Sequence, residues 1–238
     1  MPIKTALLLI IGIISISAHA LKPHVAKYQL SINGLKIAEE VRTLHQLDDQ
    51  YFYTANAKTT GIAALVKKYS VAASSKFFIN QLGVNGINYQ IMELEDTQIK
   101  DNYSIDINAK HRRVTSNLTK TQPTIKNWKA KSGTIVDPLN LFLALAYDLQ
   151  KTPDQVEFHY QVANGKSIEQ QHYKKTGNQI INFNQKQMNA IKIEKISQGT
   201  RLEAYFLPEY QYLPISIKQV KNGRDYHYQI VNFQLDPL

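Results

Sequence analysis

Four Asn-Gly pairs, Asn33-Gly34, Asn85-Gly86, Asn164-Gly165 and Asn222-Gly223, punctuate the chain, each between segments that alternate in polarity or are rich in β-branched and aromatic residues. A two-residue type I′ turn needs positive φ at both central positions, which Asn and Gly adopt at the least cost, so such a pair is the strongest short-range hairpin signal. The chain therefore predicts serial antiparallel hairpins. In the first, Ala26, Tyr28, Leu30 and Ile32 fall on one strand face and Lys27, Gln29 and Ser31 on the other; Leu35, Ile37 and Val41 continue on the partner. One face is to be buried and the other wet. Further strands are predicted at 51–59, 69–79, 87–94, 98–107, 111–119, 156–163, 179–183, 190–197, 201–207, 215–220 and 226–235.

One segment breaks this rhythm. Over 137–149, Asp137 is a natural N-cap and Pro138 a natural first helical residue, and Leu139, Phe142, Leu143, Ala146 and Leu149 follow at helical spacing. A weaker break, 60–68, reads as a short helix or a loop. The expected architecture is mainly β (α+β): a large curved antiparallel sheet or half-barrel, with one amphipathic helix packed on or in its concave face. Fourteen tyrosines suit a sheet, where the ring packs and the hydroxyl reaches water.

The N-terminus has the secretory layout: Lys4, the apolar run from Ala6 to Ile16, and small residues at Ala18 and Ala20. As a helix at roughly 1.5 Å per residue, that run reaches only about half of a bilayer core of ~30 Å. Residues 1–20 are thus expected to be a cleaved signal peptide and 21–238 a single β-rich domain, exported to the periplasm, with no transmembrane segment in the mature chain. The chain has no cysteine, which excludes lipidation after the cleavage site, disulfides and thiol catalysis. The formal net charge of +9 falls by one when Lys4 leaves. Much of the excess sits in 98–131, where Lys100, Lys110, Arg112, Arg113, Lys120, Lys126, Lys129 and Lys131 face only Asp101 and Asp106. Outside the cytoplasm such a surface meets anionic lipid headgroups or acidic glycans and not nucleic acid.

Motifs for chemistry are scarce. His24, His45, His111, His159, His172 and His227 form no local metal-type pair, although antiparallel strands can bring distant ligands together. There is no nucleophile elbow, no phosphate-binding loop and no dinucleotide fingerprint. Glu39 and Glu40, as strand neighbours, point to opposite faces. No catalytic residue, metal or cofactor is expected.

Three blocks together resemble the family described as domain of unknown function 3108, a group of exported bacterial proteins: Tyr28-Gln29-Leu30 running to Gly34-Leu35, Asp137-Pro138-Leu139-Asn140-Leu141, and the stretch from Tyr205 to Ile215. The resemblance implies a curved antiparallel sheet similar to the half-barrel of lipoprotein carriers, in the periplasm, and brings no established reaction. The expected function is a periplasmic binding or carrier protein that shelters a lipid or acyl chain. Trp128, Leu139, Phe142, Leu143 and Ala146 would supply apolar contact, and Arg112, Arg113, Lys129 and Lys131 would meet an anionic headgroup. The alternative is a non-catalytic envelope scaffold with a closed core, docking on an envelope protein or anionic glycan.

Overall fold

The computed structural model describes residues 21–119, 123–197 and 201–235; the expected leader and Lys120 lie outside them. In the first half of the chain the strands are β1 (His24–Ile32), β2 (Leu35–Leu47), β3 (Gln50–Thr59), β4 (Tyr69–Asn80), β5 (Gly83–Glu95), β6 (Gln98–Asn108), β7 (Arg113–Leu118) and β8 (Thr124–Lys129). The second half adds β9 (Ile135–Val136), β10 (Glu157–Ala163), β11 (Ile168–Phe183), β12 (Lys186–Ile196), β13 (Arg201–Leu207), β14 (Leu213–Lys221) and β15 (Arg224–Leu235). They form one sheet, ordered β8 to β1 and then β15 to β9. Nearly every strand pairs with its sequence neighbour, and the antiparallel pairing of β1 with β15 joins the two halves. Among the described residues, only the β9–β10 pairing is parallel.

Two Asn-Gly pairs make the expected tight turns, with φ of 49° and 82° at Asn33 and Gly34 and of 51° and 70° at Asn222 and Gly223. Asn164-Gly165 opens a longer β10–β11 loop, in which the Asn164 side chain accepts from the N–H groups of Lys166 and Ser167 at 3.0 and 2.9 Å. Asn85-Gly86 departs from expectation. It lies inside β5, whose turn with β4 is at 81–82, and Gly86 pairs with Phe77 at a bulge. Gly86 is there for space: a Cβ would lie 2.7 Å from Ile107 Cδ1 and 3.5 Å from the Ile135 carbonyl. Tertiary packing, not a turn, uses this glycine.

β8, β9 and the first part of β11 were not expected from the sequence. β8 is an edge strand with no buried residue, so its side chains carry no alternation to read. β9 has two residues, and the 168–178 part of β11 is an arm of polar side chains that bends at Gly177, where φ is +135° and the register with β12 shifts. The weaker break contains a one-turn-and-a-half helix, α1 (Gly61–Val66), which buries none of its side chains.

The main helix, α2 (Leu141–Lys151), starts later than the predicted 137. The turn before it is nevertheless held by Asp137, whose backbone carbonyl accepts from Leu141 at 3.1 Å. α2 packs against β5, β10 and β14, that is, against both halves of the sheet. Leu143, Ala144, Leu145, Ala146 and Leu149 are at most 1 % exposed. Burial of each leucine stabilises the fold by roughly 1.5–3 kcal/mol. Around the helix, Phe77, Ile105, Val114, Phe158, Tyr173 and Phe206 complete the main core. A second, smaller core joins Ala26, Tyr28 and Ile230 to Phe183 and Ala190 of the β11–β12 arm.

Candidate functional site

The entrance to α2 is fixed by a buried polar knot. Asp137 Oδ1 accepts from the N–H groups of Leu139 and Asn140, both at 2.9 Å, and its Oδ2 accepts from the Ser75 hydroxyl at 2.6 Å. Asn140 closes the knot: it donates to Ser75 Oγ at 3.1 Å and accepts from the Asp137 N–H at 2.9 Å. Burial pushes the Asp137 carboxyl up to about 6 in spite of these hydrogen bonds. At the other end of the helix, Tyr160 donates to Asp148 at 2.5 Å, and burial raises that carboxyl above its ordinary range too. Together these contacts tie α2 to β4 and β10.

The four apolar helix-region residues expected to touch a ligand are part of this core. Leu139 is 7 % exposed, Leu143 and Ala146 less, and the half-buried Phe142 faces Phe206 with ring centres 6.5 Å apart. Their contacts are met by protein.

The basic residues and Trp128 divide into two groups. The antiparallel register of β7 and β8 sets Arg113 directly opposite Lys129 and Val114 opposite Trp128. Arg113, Trp128 and Lys129, together with Asn108, His111 and Asn127, line a surface cleft of about 590 Å³. Asn127 is fixed there by a 2.8 Å hydrogen bond from Thr115, and His111 by its N–H to Asn108 Oδ1 at 3.0 Å. Like charges directly opposed on a sheet repel. Among the described residues, neither Arg113 nor Lys129 has an acidic ion-pair partner. The cleft is thus an uncompensated cationic site; Trp128, between Asn127 and Lys129 on the strand, turns its side chain to the other face with the buried Val114 and packs against the core.

Arg112 and Lys131 serve the loop that joins β8 to β9. Arg112, in the left-handed region at φ 53°, donates from Nε to the Ala130 carbonyl at 3.3 Å and from Nη2 to the Gly133 carbonyl at 3.1 Å. The exposed Lys131 is held through its backbone, by Gln161. That side chain donates to the carbonyls of Lys131 and Ser132 at 2.5 and 2.8 Å and accepts from the Lys131 N–H at 2.6 Å. Gln161 carried no signal in the sequence, because its role needs the non-local approach of β10 to this loop.

Ser216 Oγ lies 2.8 Å from His227 Nε2, and the pKa of His227 is lowered by burial and then by Lys218. No carboxylate hydrogen-bonds to His227 among the described residues, so the pair has no third member to orient the imidazole as a base.

No family model matches the chain, and neither does any curated protein. Among solved structures it is similar to a beta-barrel-like protein of domain of unknown function DUF1849 from Brucella abortus, with a TM-score of 0.60 and 10 % identity, over 92 % of this chain and 99 % of that one. The similarity covers the whole architecture and establishes the fold: a curved, barrel-like antiparallel sheet.

Proposed function

We propose that the protein is an exported, non-catalytic binding protein of the periplasm that holds the headgroup of an anionic lipid or lipidated molecule in the Arg113–Lys129 cleft. The observation that carries this reading is the direct opposition of two cations without an acidic partner in a surface cleft. An anion between Arg113 and Lys129 removes their repulsion, and the Arg113 guanidinium suits a phosphate or carboxylate oxygen pair. Barrel-like sheets are common hosts for such ligands, which supports the carrier role only as analogy. In this reading the sequence resemblance to domain of unknown function 3108 and the secretory N-terminus support an exported, periplasmic protein.

A second reading is favoured by a different observation. The burial of α2 in the middle of the molecule suits an envelope scaffold with a closed core, whose basic cleft docks on an anionic partner. The acyl-chain carrier requires α2 to move; the scaffold does not.

Native mass spectrometry on protein purified from a bacterial periplasm without detergent separates these readings. A reproducible extra mass, identified as lipid by solvent extraction and absent from the Arg113→Glu/Lys129→Glu variant, supports lipid binding in the cleft. Protein that stays free after incubation with phosphatidylglycerol vesicles rules that binding out and favours the scaffold.

A further inference from the structure

On the far side of the loop that Arg112 holds, the β10–β11 hairpin assembles a set of side chains that the lipid-binding reading does not use. His159 and His172 are direct cross-strand partners, and Glu157 lies two residues before His159, so alternation puts it on the same face. The imidazole rings stack with centroids 4.2 Å apart and an angle of 18° between their planes. Glu157 Oε2 lies 3.5 Å from His172 Nε2 and 3.9 Å from His159 Nε2. One ligand atom from each of the three residues falls within 4.8 Å of the other two.

We propose that Glu157, His159 and His172 form a binding site for a late first-row divalent metal ion, of the Zn²⁺ class. Ligand atoms about 2.0–2.1 Å from a tetrahedral zinc are roughly 3.4 Å apart. The two measured separations are close to that edge, and small rotations of exposed side chains close the rest. The donor set of two imidazoles and one carboxylate suits zinc or copper and is poor for calcium or magnesium, which take oxygen ligands. His172 Nε2 supplies an independent indication. It is shut off from solvent and has no hydrogen-bond partner, yet it faces the Glu157 carboxylate. A buried nitrogen of this kind costs free energy unless a proton partner or a metal takes its lone pair.

The surroundings leave room for further ligands. β9 covers β10 only at Gln161 and Val162, so the edge of β10 at 157–159 is open. A cleft of about 300 Å³ there is lined by His159, His172, Gln170, Gln171 and the 132–134 loop. Three protein ligands would leave the fourth position to water or to a group of a partner.

The test is calorimetric titration of the mature chain with Zn²⁺ alone, in parent protein and in His159→Asn, His172→Asn, Glu157→Gln and His45→Asn. One saturable site per chain is expected in the parent and in His45→Asn. Each histidine substitution should weaken binding by at least the about 10–100-fold that follows loss of a mere outer-shell partner. Glu157→Gln should weaken it in the same direction. All four positions are partly or fully exposed, and circular dichroism confirms that each variant keeps its sheet. Absence of saturable binding in the parent overturns the site. So does binding that survives both His159→Asn and His172→Asn.

Discussion

At the scale of single residues, two glycines that look alike in the sequence have different physical reasons. Gly34 sits in a turn at φ +82° with open space around it, whereas Gly86 lies in a strand where a Cβ would run into Ile107 and the Ile135 carbonyl. Asparagine tolerates the left-handed region, so Gly34→Asn should cost less than about 1 kcal/mol. Gly86→Asn should cost about 1–3 kcal/mol or more through overpacking; urea unfolding of the two variants checks the order. The Asn-Gly signal is a local rule, and Gly86 answers to residues that the sequence does not place beside it. Asp137 is another residue whose neighbours were hidden. Its spacing from the helix announced a cap, but not its complete burial with Ser75. Because the folded carboxyl titrates at about 6, above its ordinary value, its contribution to stability is present at pH below about 4 and is lost as the pH rises through 6. Asp137→Asn carries no charge at any pH. The stability of the variant relative to the parent should therefore rise between pH 4 and pH 7, by about 1–3 kcal/mol. A flat difference across that window would mean that the carboxyl titrates as an exposed one.

At the scale of elements, α2 was legible because an apolar stripe at helical spacing has few other solutions in a β-rich chain. What was not legible is how completely the protein covers it: the stripe implies burial on one face, and seven of its side chains are buried. Leu143→Ala should therefore cost roughly 2–5 kcal/mol, and Phe142→Ala, at a half-buried position against Phe206, clearly less. Equal losses at the two sites, measured by chemical denaturation, would contradict the packing described. The strands show the opposite limit. β1 was readable because one face of it is buried. On β2 the expected inward residues Leu35 and Val41 are exposed, at 60 % and 39 %: the register with β1 shifts between Leu30 and Ser31, and Ala38 and Leu44 are the buried residues. β8 and the polar arm of β11 have nothing to alternate against. Each candidate site needs one of those unread strands to complete it. Arg113 and Lys129 become a pair only when β8 is zipped to β7, and His172 meets His159 only when the start of β11 is a strand.

At the scale of the whole molecule, the sheet has two edges, β8 and β9, and the seam between them is made by side chains and a loop instead of a ladder. Gln161 makes three hydrogen bonds to that loop, Arg112 grips it from the other side, and Ser116 reaches the β10–β11 loop with a 3.0 Å bond to the Gly165 carbonyl. A seam of this kind can open without breaking any β-ladder, and opening there would give a path to α2 while the rest of the sheet stays paired. The two proposed functions differ on whether this happens. If the core is permanently closed, α2 amides exchange with solvent only through global unfolding, with the same free energy as β1 and β2. If the protein admits an acyl chain, α2 and the 130–136 segment exchange through a cheaper, local opening, and bound lipid slows them. Gln161→Ala should enlarge that opening: hydrogen exchange measured by mass spectrometry should speed up at 130–136 and at α2, with the β1–β2 hairpin unchanged. Faster exchange confined to 130–136 would mean that the seam can loosen while the helix stays in place. In that case the basic cleft would be the whole of the binding site, and the helix only its foundation.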